Sequence, residues 1–383
     1  MSDHSGDMSE NEDISMLRDS AAALAKAEAG SGRPRVGDPD VASHIWHKLA
    51  EAGFLGMAIA EDHGGLGMGL GEVCAVAGEF GKALLPAPFL PGAFLPARLI
   101  GRSENEDLQR ELLPALATGQ LIVGLAFEET PEGVFSACMK TRALPQASGV
   151  RLGGDKRFVR PGAGCHGFIV AAAAPEGTGL YWVVAGSPGL EIIPGSLADG
   201  CPVARLRLDD VRVEENHILS PAPMGTGLLT AAINETLIAA GAELNGVMSA
   251  ALTLTLDYLR TRVQFGRPVG SFQAIQHRAV NMYLEQQLSV ATLGASIAEF
   301  ARSSDAGQQI RLASRVKARA SDAALLITRE ALQMHGAIGF TDECDIGRYL
   351  KRALSLSGWL GNAAEHRRRY STSLQISDEA RNG

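Results

Sequence analysis

The spacing of apolar positions divides the chain into three stretches. From residue 14 to about 120, apolar residues recur three and four apart. The Ala- and Leu-rich run 16–30 ends at Gly30, the run 38–57 opens on Asp38 as a candidate cap, and the run 69–86 is broken by Pro86 and Pro88. That is the pattern of amphipathic helices. Between 121 and about 225, short apolar or alternating runs (121–127, 149–154, 166–174, 179–186, 190–195, 204–213) are separated by Gly, Pro, Asp and Ser. This spacing predicts an antiparallel β domain. Long Ala/Leu-rich segments then return over 227–262, 271–303, 308–336 and 345–370. Four long helices with short connections predict an antiparallel bundle. The expected fold class is α+β: an N-terminal helical domain (14–120), a middle antiparallel β domain (121–225) and a C-terminal four-helix bundle (226–383), with residues 1–13 as a frayed tail. No period of 20–50 residues repeats, which disfavours a solenoid. A β domain between helical ones offers a ligand cleft where domains meet.

Composition narrows the class. The 383 residues are 46% apolar and 20% charged, an ordinary globular balance. A net charge of -8 argues against nucleic acid, which draws on a concentrated basic surface. The one basic cluster, His366-Arg367-Arg368-Arg369, reads either as a solvated helix end or as a binding patch. No apolar run reaches the roughly 18–20 residues of a membrane span. The acidic start, MSDHSGDMSENED, fits neither a secretory signal nor a transit peptide. Five scattered cysteines without a C-x-x-C pair argue against a disulfide framework and a zinc site, and suit a reducing cytoplasm.

Two segments carry chemistry. In the first, Arg262 ends a helical run, the chain turns at Phe265-Gly266 and Pro268, and a new helix opens near Ser271 with Gln273 in its first turn. An arginine and exposed amides at a helix-loop-helix corner suit a phosphate. Gly and Pro punctuating a plain helical hairpin would give the same pattern. The second is Gln333-Met334-His335-Gly336-Ala337-Ile338-Gly339-Phe340. The first strongly resembles the acyl-CoA dehydrogenase signature Arg-x-x-Phe-Gly followed by Ser-Phe-Gln-x-x-x-His. The second resembles the same family's Gln-x-x-Gly-Gly-x-Gly-Phe loop. Further likenesses cover nearly the whole chain: Glu61 to Gly67 with the Pro-Glu-x-x-Gly-Gly-x-Gly turn, Glu79 to Lys82 with a Glu-Glu-Leu-Gly helix end, Arg151 to Val159 with a Leu-x-Gly-x-Lys strand, and Asp209 to Val213 with the strand that closes the β domain.

The resemblance implies FAD between the β domain and the bundle, its adenosine diphosphate end held partly by a neighbouring subunit. By position, Arg262 and Phe265 would meet the pyrophosphate and adenine region with Gln273 nearby. Gln333, Gly336 and Gly339 would let backbone amides approach the phosphates. Phe158 and Val159 would lie against or near the isoalloxazine. The implied reaction is α,β-dehydrogenation of an acyl-CoA thioester: a carboxylate takes the α proton, flavin takes the β hydrogen as hydride, and electrons leave to an electron-transfer flavoprotein.

The chain departs from that pattern where the base should be. The segment matching the family's Tyr-Glu-Gly-Thr is Trp359-Leu360-Gly361-Asn362, which puts Leu360 at the base position; the second family position, on the long bundle helix, is Thr236. Glu243 is the remaining candidate, seven residues after Thr236 and on nearly the same helical face, among Ala and Gly that would desolvate it. Glu235, one residue out of register, is the alternative. Pairing with a buried arginine, or exposure to solvent, would remove Glu243 from that role. The segment Phe127 to Gly133 lacks the family's serine, and Ala337 replaces the second glycine of the phosphate loop. Such departures resemble a divergent branch of actinobacterial enzymes for steroid side chains and other bulky acyl-CoAs, which often pair unlike subunits. The expected forms are a homo-oligomeric dehydrogenase using Glu243, a half-site partner subunit, or a flavin oxidase or monooxygenase of the same superfamily.

Overall fold

The computed structural model describes residues 5–29, 39–130, 139–162 and 164–382. Pro131 to Gly133 and Cys138 lie outside them. The helices are α1 (Ser5–Ala29), α2 (Pro39–Glu51), α3 (Leu70–Ala83), α4 (Leu95–Ile100), α5 (Glu106–Ala117), α6 (Gly225–Thr261), α7 (Gln273–Arg302), α8 (Ala306–His335), α9 (Ile346–Gly358) and α10 (Ala363–Asn382). The strands are β1 (Val123–Ala126), β2 (Arg142–Gln146), β3 (Gly149–Val159), β4 (Gly167–Ala174), β5 (Gly177–Val184), β6 (Leu190–Ser196), β7 (Pro202–Val213), β8 (Ile218–Ser220), and the short pair β9 (Val263–Gln264) and β10 (Arg267–Pro268). Helices, sheet and helices thus follow one another. The segment expected to fray is helical from Ser5 onward. Once Ala21 and Ala25 are buried, each added residue extends an existing helix without a new nucleation cost.

Contacts group the chain into two compact units that cut across the three expected segments: residues 34–69 with 86–236, and residues 1–33, 70–85 and 237–383. In the first, the sheet runs β6-β7-β3-β2-β4-β5-β8, with β1 also on β4. Most neighbours are antiparallel, but β1 pairs β4 in parallel, as does β2 at Arg142↔Ala173. The sheet is therefore mixed. A parallel pair needs a long crossover, which the β2–β3 hairpin supplies here, and alternation of side chains says nothing about strand direction. Leu152, Phe168, Val170, Leu206 and Val211 are fully buried at its core. Asn105 ties α5 to this sheet region: its Oδ1 caps the helix by accepting from Leu108 N at 2.9 Å, while Nδ2 donates to the carbonyls of Asn216 and Ile218.

In the second unit, α3 crosses α6 backbone to backbone. A Cβ on Gly81 would lie 2.2 Å from the Glu243 carbonyl oxygen, and one on Gly246 1.9 Å from that of Gly78. Gly246→Ala would add helix propensity worth about 0.5–1 kcal/mol. The forced separation of the helices costs about 1–3 kcal/mol. A net loss of stability in urea unfolding is therefore expected, and a gain would show that the crossing is loose. The last expected helix, 345–370, is two. Leu360 (φ 56) and Gly361 (φ 100) turn the chain left-handed, and Asn362 opens α10 with a reciprocal cap. Its Oδ1 accepts from Ala364 N and Glu365 N, and Glu365 Oε2 accepts from Asn362 N at 2.8 Å. Buried Lys317 fastens the break, donating to the carbonyls of Ser357 (3.1 Å) and Gly361 (2.8 Å) at the negative end of α9.

Among the described residues, one helix, Gly225–Thr261, is long and apolar enough to cross a membrane, but 78% of its most apolar window is buried inside the protein. Burial of that kind marks a core helix.

Candidate functional site

The two signature segments meet at one end of the second unit. Tyr258, near the end of α6, stacks on His335 at the end of α8 (centroids 4.5 Å apart, 23° between planes) and donates to its carbonyl at 3.2 Å. Arg278, in the opening turns of α7, donates to Glu330 of α8 at 2.6 Å. Beyond α6, β9 and β10 form a hairpin whose tip residues, Phe265 (φ 54) and Gly266 (φ 78), are both left-handed, the geometry of a tight hairpin turn. Phe265 is 92% exposed, the most exposed large apolar side chain among the described residues. Its ring meets Phe272 edge-on at 6.2 Å, and the Arg267 guanidinium lies 4.1 Å over Phe272. Arg262, Gln273 and Gln333 are exposed at the same end.

Gly336 follows α8 with φ 65 and ψ -143, a conformation reserved for glycine, and an added Cβ would meet nothing within 4 Å. The space beside its backbone is open. Gly339 is required by packing. It is buried, and its Cβ would press on Leu332 O and His335 Cβ at 3.1 Å.

The other expected half lies on β3 in the first unit. Phe158 is 45% exposed while Val159 is fully buried in the sheet core. Val159 is packed into the core and its side chain cannot line a ligand, whereas that of Phe158 reaches the surface. Beneath them, Lys156 is fully buried and donates to Glu129 Oε1 at 2.6 Å. Burial pushes the Lys156 ammonium down to about 8, against the pull of Glu129. Burial alone would raise the Glu129 carboxyl, but hydrogen bonds from Lys156, Thr141 and Lys140 outweigh it and hold the group below its ordinary value.

Neither expected base is free. Glu243 is 5% exposed and bound by Arg352, whose Nε donates at 2.9 Å and whose Nη2 makes a second contact to the same oxygen. Glu235 is 6% exposed and held by Arg98 through two bonds (2.5 and 3.1 Å) and by Arg102. Desolvation by Ala and Gly was the reason to choose Glu243; the guanidinium that compensates its charge reverses that argument. Thr236 and Leu360 are fully buried, and the Thr236 hydroxyl is spent on the Ala232 carbonyl at 2.9 Å. A buried arginine was one expected alternative for Glu243, but which arginine is fixed only by the fold. Arg98 and Arg102, four apart, carried a readable signal of a shared partner; Arg352, 109 residues from Glu243, carried none.

Comparison with known proteins agrees with these motifs. Models of the acyl-CoA dehydrogenase N-terminal and C-terminal domains match residues 11–120 and 224–374. A solved structure of the Tcur3481–Tcur3483 steroid acyl-CoA dehydrogenase, a G363A variant, is 30% identical with a TM-score of 0.86, covering 96% of this chain and 99% of that one. The chain belongs to the acyl-CoA dehydrogenase family. Acyl-CoA dehydrogenase FadE27 of Mycobacterium tuberculosis is 28% identical over 336 residues, 86% of this chain and 87% of the relative. The ChsE4–ChsE5 complex of the same organism shares the fold, with a TM-score of 0.82 at 24% identity over 94% of this chain and 97% of that one. As an acyl-CoA dehydrogenase the chain is an FAD-dependent oxidoreductase, and the mixed sheet between helical segments is the fold of that family.

Proposed function

We propose that this chain is the subunit of a two-chain acyl-CoA dehydrogenase that contributes cofactor-holding surface but no base. The carrying observation is that Glu243 and Glu235 are committed to arginines, while the motif resemblance puts Leu360 and Thr236, neither able to take a proton, at the two base positions. A carboxylate from an unlike subunit would then take the α proton. Arg262, Phe265, Gln273, Gln333 and the Gly336 backbone would hold the adenosine diphosphate end of FAD, and Phe158 would face its ring system. FAD, when bound, accepts the β hydrogen as hydride. Within this chain the arginine offers charge-assisted hydrogen bonds to phosphate, and the glycine offers close backbone approach.

An outward stripe on α7 supports assembly. Val280, Leu284 and Leu288, four apart, with Tyr283 and Val290 beside them, are each about half exposed. Such a contiguous apolar face suits a second acyl-CoA dehydrogenase chain. The steroid enzyme at 30% identity favours a bulky acyl-CoA as substrate, with electrons passing to an electron-transfer flavoprotein. Among the described residues, Cys165 and Cys344 stand outside any disulfide, which fits a reducing cytoplasm.

The test is a visible spectrum of the chain purified alone and after co-expression with candidate unlike subunits, each followed anaerobically with acyl-CoAs of increasing bulk. Little flavin and no bleaching alone, with both restored in a pair, is the expected result. Stoichiometric flavin that bleaches in the chain alone would overturn the proposal.

A further inference from the structure

The strand β3 does not pair evenly with β7. Lys156 sits opposite Leu206 and Val159 opposite Ala204, so Arg157 and Phe158 together face the single residue Arg205. Two residues against one is a β-bulge, which re-aims a side chain. Here it leaves Phe158 with φ 53, a conformation that bulky residues adopt rarely and hold only when neighbours enforce it. Two neighbours do so. The Arg157 amide donates to the Glu128 carbonyl at 2.8 Å. On the buried side, Lys156 Nζ reaches Glu129 Oε1 at 2.6 Å and the Phe127 carbonyl at 3.4 Å. Glu129 in turn accepts from the amides of Lys140 (2.6 Å) and Thr141 (2.9 Å). One carboxylate therefore joins the end of β1, the start of β2 and the bulge of β3.

We propose that the Lys156–Glu129 pair is a positioning element that holds the β3 bulge so that Phe158 projects outward to meet the cofactor. Its functional half rests on the assignment of Phe158 to the flavin face. Burying two charges is costly unless geometry and hydrogen bonds compensate, and this pair stands directly beneath the one strained aromatic of the strand. A packed apolar pair would fill the same space without fixing the register of three segments.

The bulge is tested without flavin. Phe158→Trp places a reporter at the exposed site, and the native Trp46, Trp182 and Trp359 are only 2%, 4% and 5% exposed, so acrylamide quenching reads position 158. Lys156→Met, or Glu129→Gln should the first not fold, is expected to change the quenching constant by about twofold or more, with Lys156→Arg restoring it. Unchanged quenching overturns the proposal. The link to cofactor is tested by a double-mutant cycle on the FAD dissociation constant of the assembled protein. Phe158→Ala and Lys156→Met are each expected to weaken FAD by about tenfold, and the double variant by no more than either. Full multiplication of the two effects would mean that Lys156 acts on general stability and overturns its positioning role. If Phe158→Ala leaves FAD affinity unchanged, the flavin-face assignment falls, and the quenching result still decides the bulge.

Discussion

Arg352→Ala is expected to destabilise the protein by about 3–5 kcal/mol, whereas Glu243→Gln costs markedly less. Both remove the same ion pair, but what they leave behind differs. Without Arg352, a carboxylate that is 5% exposed is left in a helix crossing without the guanidinium that compensates its burial. With glutamine at 243, the site loses its charge, and the amide oxygen still accepts from the arginine, which is partly exposed and can turn toward water. The crossing gives little room for relief, because Gly81 already lies against the Glu243 backbone and Tyr349, one turn before Arg352, donates to the Lys82 carbonyl at 2.8 Å. Urea unfolding of the two variants measures the asymmetry; equal losses would mean that the buried carboxylate is not the source of the cost. The same Glu243→Gln protein, assembled with its partner and loaded with FAD, is expected to bleach with acyl-CoA at the parental rate. Loss of bleaching with the fold intact would make Glu243 the base and return the chain to a self-sufficient dehydrogenase.

That pair also marks the boundary of what sequence reveals. Helical periodicity exposed the helices and alternation exposed the strands, since both patterns are local. The Arg-x-x-Phe-Gly and Gln-x-x-Gly segments were legible because turn chemistry and exposed motif residues leave marks within a dozen positions. Strand direction was not, since β1 and β4 read alike whether parallel or antiparallel. Nor was the partner of Glu243: a glutamate among alanines looks desolvated until a helix from far along the chain brings a guanidinium to it. The break at Trp359–Asn362 was within reach, because Asn362 followed three residues later by Glu365 is a helix start signal. Taking 345–370 as one continuous helix overrode it.

The break carries the second large expectation, an acid sensitivity centred on His366. This side chain is fully buried, with Nε2 2.9 Å from the Leu360 carbonyl. Burial, then the nearby Lys317 and Arg369 cations, push the imidazole down to about 3 from its ordinary 6.5. In the native state it stays neutral, while the unfolded chain takes up a proton below about 6.5. Its contribution is therefore present above 6.5 and is lost as pH falls through the window from 6.5 to about 3. That gap corresponds to about 5 kcal/mol when fully crossed, and to about 2 kcal/mol by pH 5. Other carboxylates also weaken the fold in acid, so the discriminating measurement is a comparison. Urea unfolding at pH 7.5, 6 and 5 is expected to show a shallower decline for His366→Gln than for the parent, although glutamine begins from a less stable state at pH 7.5. Parallel declines would mean that His366 is not the proton acceptor. Because its ring and Lys317 fasten the carbonyls around Leu360, acid should loosen first the very turn onto which the motif resemblance maps the family's base.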